Sequence, residues 1–471
     1  MRNERPRKRR RFRIHPIIKF LFSIAALCLI LYLAGFAFRF CLGLFIANED
    51  YLVQIPGQGS PIAVVQPEQD PSDLPTNQIV ETGRATILAA GDIMSHMPIV
   101  RSAETGSGYD FSSMFQYVIP YTDKADYAVA NLETTLSGTD GGREYTGYPD
   151  FNAPDALATG AYLGGFDMLL TANNRCYDYG TAGLLRTLET VRSAGMDSLG
   201  VSANAEENRY LVKDLNGIKI GMINYTFAEI NDDRNRPTID GEETDKNAAG
   251  LINVFDYDST DMFYAEMENH LSGMQAAGAE AVVVYLHWGD EFHTEPGNSQ
   301  KAIARKLCDM GVDVIVGSHP HTVQPAELLT SSDGTHQTLC LYSAGNFLSN
   351  QRHDNIALTT GHSEDGVMLG FTFVRYSNGQ VFLESAELIP TWVLVRGSGD
   401  NRAFRILPLD DQIADWAGAY DLDKNQLAEA KASAERTNAI VGSGMAAIRS
   451  ALEQANIQRN QALGIFTGGV G

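Results

Sequence analysis

The stretch VIVGSHPH, Val314–His321, decides the reading of the fold. Three apolar residues form a short run of the kind that makes a buried strand, and a glycine, a serine and two histidines separated by one proline follow at once. Two imidazoles held apart by a single rigid residue form a preset two-pronged arm, and a metal ion is the ligand that suits it. The same design recurs along the chain. ATILAAGD ends in Asp92, with His96 four residues on, and ADYAVANLE ends in Asn131 and Glu133. FDMLLTANN ends in Asn173 and Asn174, AVVVYLHWGDE in His287, Asp290 and Glu291, and LCLYSAGNF runs through Asn346. MDSLGVSA and IGMINYTF are further candidate strands.

Between several of these runs lie amphipathic stretches, such as 183–194 and 261–277, which predict helices. LVKDLNGIKIGMI and FTFVRYSNGQVFLESAEL carry Asn-Gly at 216–217 and 378–379, a strong hairpin signal. Alternating strands and helices with added hairpins indicate a layered α/β domain with a mixed sheet. In such sheets the C-terminal ends of the parallel strands converge on one edge, where ligands bind. Each polar cluster alone has a plain explanation as a turn, a helix start or a packed histidine. Their joint occurrence at five or six strand ends favours one shared centre. Carboxylates, asparagine carbonyls and neutral imidazoles suit Mn, Fe or Zn, and two ions could be held together.

The chain has 471 residues and a net charge of −22, unevenly distributed. MRNERPRKRRRFR, residues 1–13, carries eight basic residues against Glu4, so the remainder stands near −29. An acidic body excludes a nucleic-acid surface as the natural reading and favours a cationic partner or a metal. FLFSIAALCLILYLAGFAF, residues 20–38, has no charged residue, and about 20 apolar residues span a bilayer. Basic residues ahead of it keep the N-terminus cytoplasmic and place the bulk of the chain outside. The expected division is a basic cytoplasmic tail over 1–19, a signal anchor over 20–40 and a Pro/Gly/Gln-rich extracytoplasmic linker over 41–84. The main domain then takes 85–400, and 401–471 forms a peripheral helical extension. Of five cysteines, Cys28 and Cys41 fall at the membrane, while Cys176, Cys308 and Cys340 allow one bridge or none.

The ordered motifs GDIM, NLE, ANN-x-x-x-D-x-G, LHWGDE, GSHPH and SAGNF, from about Thr86 to Pro390, resemble the CapA family. That family is associated with poly-gamma-glutamate capsule synthesis and lies within the calcineurin-like metallophosphoesterase superfamily. The resemblance implies a four-layer metallophosphatase-like sandwich, two mixed β-sheets flanked by helices, with a metal cluster at the strand ends. It implies Asp92, Glu133, Asn174, His287, His319 and His321 as ligands of a divalent transition metal, with Glu133 at the position of a bridging acid. Asn173, Arg175 and Asp178 are expected to meet substrate, and His96 or Glu291 to move a proton. The family usually has His where this chain has Arg175, and a guanidinium cannot serve as a proton donor near neutral pH. It can hold a carboxylate or phosphate, or pair with Asp178 or another nearby acid.

Two functions follow from the resemblance. One is a membrane-anchored metal-dependent hydrolase acting on a phosphoester or an anionic, amide-linked polymer. The other is a non-catalytic anchored component that binds, tethers or helps export such a polymer beside membrane synthase subunits. An envelope sensor that binds ligands through the acidic loop 231–247 is a third, weaker reading.

Overall fold

Two mixed β-sheets face each other across a shared apolar layer. The computed structural model describes residues 79–231 and 236–465; the expected tail, anchor and most of the linker lie outside them. Among the described residues, no helix is long and apolar enough to cross a membrane. In the first sheet the strand Glu81–Ile93 lies parallel to Tyr127–Leu132, followed outward by Met168–Leu170 and Asp197–Leu199. On its other side stand the antiparallel strands Asp365–Tyr376, Val381–Arg396 and Ala403–Pro408. In the second sheet Val254–Phe255, Ile218–Phe227, Ala281–His287, Val314–Ser318 and Gln337–Leu341 are parallel neighbours. Leu211–Leu215 and Ala326–Thr330 are its antiparallel additions.

The near-continuous apolar runs reflect burial on both faces, as parallel strands require. Successive side chains alternate between faces. Val283, Tyr285, Val314 and Val316 therefore join Ile87, Ala89 and Val129 between the sheets. Val284, Leu286 and Ile315 turn outward onto Phe263, Met267, Ile303 and Leu307. The first two belong to the helix Thr260–Ala276 and the last two to Asn298–Asp309. Leu88 and Ala90 turn outward on the first sheet, against Phe111, Phe115 and Leu157. Helices thus cover both outer faces. The Asn216-Gly217 hairpin forms as expected, with φ of 53° and 84° at its two turn residues, the geometry of a type I′ turn.

Three expectations are corrected. The linker ends earlier than residue 84, because Glu81–Arg84 already pairs with Asp365–Tyr376. Residues 401–471 do not begin as a helical extension: Ala403–Pro408 is a sheet strand with Phe404 and Ile406 buried. Nor is the helix Lys424–Leu463 peripheral. It starts on a capping box in which Asp423 accepts from Asn425 and Gln426 N–H groups. Its Val441, Met445, Ile448 and Leu452 then pack into the layer between the sheets. Their spacing of three and four residues makes one stripe along the helix. Asp365 accepts hydrogen bonds from Ser433 at 2.6 Å and from Arg436 at 2.7 and 2.8 Å, fastening the helix to the first sheet. Cys176, Cys308 and Cys340 are buried free thiols.

Close packing at the strand ends depends on glycine. A Cβ on Gly91 would fall 1.9 Å from the Gly345 carbonyl oxygen, and one on Gly317 equally close to that of Tyr342. The two strands that deliver Asp92 and His319 can approach their neighbours only because these positions lack side chains.

If the long helix completes the core, Ile448→Ala costs about 2–5 kcal/mol in a urea denaturation measurement. A peripheral helix would lose less than about 0.5 kcal/mol.

Candidate metal centre

Asp92 leaves its strand in register with Asn131 on one side and Asn346 on the other. His287 ends its strand opposite Ser318. Both sheets therefore deliver polar side chains to one edge, and all of these are buried. Glu133 is at its centre, fully buried, with neither carboxylate oxygen hydrogen-bonded among the described residues. His321 Nε2 stands 3.5 Å and His287 Nε2 3.8 Å from its Oε1. His321 Nδ1 lies 3.3 Å from Asp92 Oδ2, and Asn174 Oδ1 lies 2.8 Å from His287 Nε2.

Two groups of potential ligands overlap here: Glu133 with His319 and His321, and Glu133 with Asp92 and His287. In each, the donor atoms lie within 4.8 Å of one another. Glu133 belongs to both, the geometry of a bridging acid. Burial and neighbouring charges set the protonation of these groups. Burial first, then Asp92, pushes the Glu133 carboxyl well above the usual range. Burial and the adjacent imidazoles hold His287 and His319 well below theirs, so both rings are neutral and free to donate a lone pair. A buried carboxylate with no partner is expensive, and a divalent cation offsets that cost. The residues fit a metal.

His319 and His321 adopt φ of 95° and 54°. Non-glycine residues in that left-handed region cost on the order of 1–3 kcal/mol each and persist where the surroundings fix them. Here they turn both imidazoles of SHPH into the centre. Phe227 forms an aromatic wall, with its ring centroid 4.9 Å from that of His319.

The other expected residues divide. Arg175 lies beside the centre, 7% exposed, with its guanidinium 5.6 Å from the Phe151 ring and 5.9 Å from Tyr148. Its Nη1 donates to Pro149 O at 3.0 Å and pairs with Asp240. Glu291 stands at the rim, its side chain 40% exposed and 4.0 Å from His321 Nε2. His96 packs edge-on to Phe151, and burial, then His321 and Arg175, push its pKa down to about 3. That ring is neutral near pH 7 and does not form the imidazolium that could act as a proton donor.

Asn173 and Asp178 brace the chain around the centre. The Asn173 amide donates to Leu132 O at 2.8 Å and Asn131 Oδ1 at 3.2 Å, and its oxygen accepts the Arg175 N–H. Both donors of that amide are consumed. Asp178 accepts the Phe151 N–H at 2.7 Å, with its side chain 5% exposed, which pins the loop around Pro149. Asn131 was unassigned by the sequence reading. Its amide donates to Asp92 Oδ1 at 2.8 Å and lies 3.3 Å from His287 Nδ1, so it orients a ligand from each sheet. Its place directly after the apolar run Ala128–Ala130, two residues before Glu133, was the available signal. Asp240 carried none, because it lies in the acidic loop far along the chain.

The fold and the site together define a mixed α/β protein with a buried carboxylate–imidazole cluster at its strand ends, whose residues could hold a metal ion. Residues 86–351, more than half of the chain, match the bacterial capsule synthesis protein PGA_cap family, and the chain belongs to that family. It is 27% identical over 291 residues to the capsule biosynthesis protein CapA of Bacillus anthracis, covering 60% of this chain and 65% of that one. It is 28% identical over 277 residues to the PGA biosynthesis protein CapA of Bacillus subtilis, covering 58% and 66%. The match therefore spans just under two thirds of these relatives. A solved structure described as a candidate 5′-nucleotidase of Staphylococcus aureus in complex with alpha-ketoglutarate aligns over 74% of this chain and 58% of its own, at 12% identity. Its TM-score of 0.37 is too low to bear on the fold.

Two outcomes are expected. Glu133→Gln loses bound transition metal by elemental analysis, while the metal-free variant is more stable than the metal-free parent by about 1–3 kcal/mol. Burial, opposed by the Phe151 N–H and Arg175, also pushes Asp178 from 3.8 up to about 7. The folded chain then keeps a proton that the unfolded chain has released between about pH 4 and 7, so this group's contribution to stability falls as pH rises through that window. Asp178→Asn removes the fall, and its stability relative to the parent grows from pH 4 to 7 by up to a few kcal/mol in urea titrations.

Proposed function

We propose that this protein is a membrane-anchored, extracytoplasmic metal-dependent hydrolase of capsule or cell-envelope polymer synthesis, built as a four-layer metallophosphatase-like sandwich. The observation that carries the reading is the buried Glu133 carboxylate, unpartnered among His287, His319, His321 and Asp92. Asp92, Glu133, Asn174, His287, His319 and His321 would hold two ions of Mn, Fe or Zn. Such ions polarise a phosphoryl or carbonyl oxygen and make water nucleophilic near neutral pH. The chain's own residues supply the rest. Arg175 gives a fixed positive charge for a phosphate or a polymer carboxylate. Glu291, at the rim beside His321, is the better placed of the two to relay a proton, because burial holds His96 neutral. Burial of the centre on all sides but this rim strengthens every charge interaction inside it.

A second reading, a non-catalytic anchored protein that tethers or helps export an anionic polymer beside synthase subunits, draws on Arg175. The family's proton-donating His is replaced by a residue that cannot donate, and Arg175 pairs with Asp240. The substrate under either reading is an anionic polymer or phosphoester, the N-terminus is cytoplasmic over 1–19, and the anchor spans 20–40.

The full chain, purified in detergent, is expected to contain a transition metal and to cleave a phosphodiester or polyglutamate. His321→Ala should lose metal and at least about 100-fold in activity. Arg175→His should gain activity if the missing acid limits the rate. Bound metal with no turnover on either substrate would favour the tether, and a metal-free protein would sink the ligand assignment.

A further inference from the structure

Glu229–Asn231, Arg236–Ile239 and Glu242–Glu243 form a small antiparallel ribbon beside the centre. Its Asp240-Gly241 turn has φ of 49° and 84°, which places the Asp240 carboxylate at the tip. That carboxylate pairs with Arg175 Nη1. The two partners differ sharply in exposure: the Asp240 side chain is 42% exposed and that of Arg175 only 8%. The acid therefore covers the cation from the solvent side. Arg175 is fixed from below by Pro149 O, by the Phe151 and Tyr148 rings and by Asp178 at 3.9 Å. Its buried Nε has no hydrogen-bond partner among the described residues. A guanidinium this enclosed, one residue after Asn174 and with an unused donor, is a prepared anion seat.

We infer that Asp240 is a built-in competitor for this seat: an anionic group of the ligand, carboxylate or phosphoryl, binds Arg175 by displacing the Asp240 carboxylate. The inference rests on reading the centre as a substrate site. A pair with one partner this exposed is weak and screened by water, so exchange is easy. An incoming anion that makes two hydrogen bonds to the guanidinium, using Nε, outcompetes a carboxylate held only at Nη1. A neutral ligand has nothing to offer in exchange and leaves Asp240 in place. Asp240 thus determines specificity by raising the threshold for binding, a repulsive element against every ligand that lacks the matching charge.

The test uses the full chain loaded with Mn²⁺, titrated calorimetrically with inorganic phosphate and, separately, with a γ-linked glutamate trimer. Asp240→Asn and Asp240→Ala should tighten at least one of these about fivefold or more. Arg175→Gln should weaken it, and in the Arg175→Gln background Asp240→Asn should no longer matter. Tightening for phosphate alone assigns a phosphoryl group to the seat, and for the trimer alone a carboxylate. Affinities unchanged within about twofold in both Asp240 variants, with melting temperatures showing them folded, would overturn the inference. So would a tightening that survives in the absence of Arg175. The same titrations without Mn²⁺ report the Arg175–Asp240 coupling alone. Failure to bind Mn²⁺ with the coupling intact would count against the metal-centre reading only, and loss of the coupling with Mn²⁺ bound would count against this inference only.

Discussion

A carboxylate without a partner organises this molecule. Glu133 sits at zero exposure with neither oxygen hydrogen-bonded among the described residues, and a buried charge of that kind is among the most costly features a protein can hold. Asp92 and three imidazoles surround it, so a proton or a bound cation would offset that cost. The first sheet brings Asp92 and, through Asn131, orients it; the second brings His287 and the two strained histidines after Ser318. Neither sheet alone supplies a full ligand set. The apolar layer between them is therefore part of the site, because it holds the two halves in register.

The loops contribute a different kind of order. Asn173 and Asp178 spend their polar groups on backbone, which sets the position of Arg175 between the Phe151 and Tyr148 rings. The result is a cation beside an acidic, neutral-imidazole pocket. Its field helps hold the histidines in their unprotonated, donor form, a second route by which one residue outside the ligand set tunes the centre.

Much of this was legible in the sequence, for physical reasons. Parallel strands buried on both faces must read as apolar runs, and polar residues immediately after them must fall on one edge. That is why Asp92, Glu133, Asn174, His287, His319 and His321 could be placed together. Residue type alone did not reveal the bracing role of Asn173 and Asp178: it became visible only in the positions of Leu132 O and the Phe151 N–H, which use their polar groups. Asp240 was hidden because its partner lies 65 residues away and no local pattern links them. The long helix read as peripheral because its buried stripe is diluted by alanine and polar residues, yet it meets strands of both sheets.

That helix also sets the order of assembly. Its residues touch Ala326–Thr330 in one sheet and Val381–Arg396 in the other, so the layer between the sheets stays open along one side until residue 452 has been synthesised. The pairing of Glu81–Ile93 with Asp365–Tyr376 likewise joins segments nearly 300 residues apart. Such long-range closure is slow, and a nascent chain holding the sheets half-joined exposes apolar surface meanwhile. Maturation of the centre is therefore a late event, since its two halves are locked in register only after the last long segment docks.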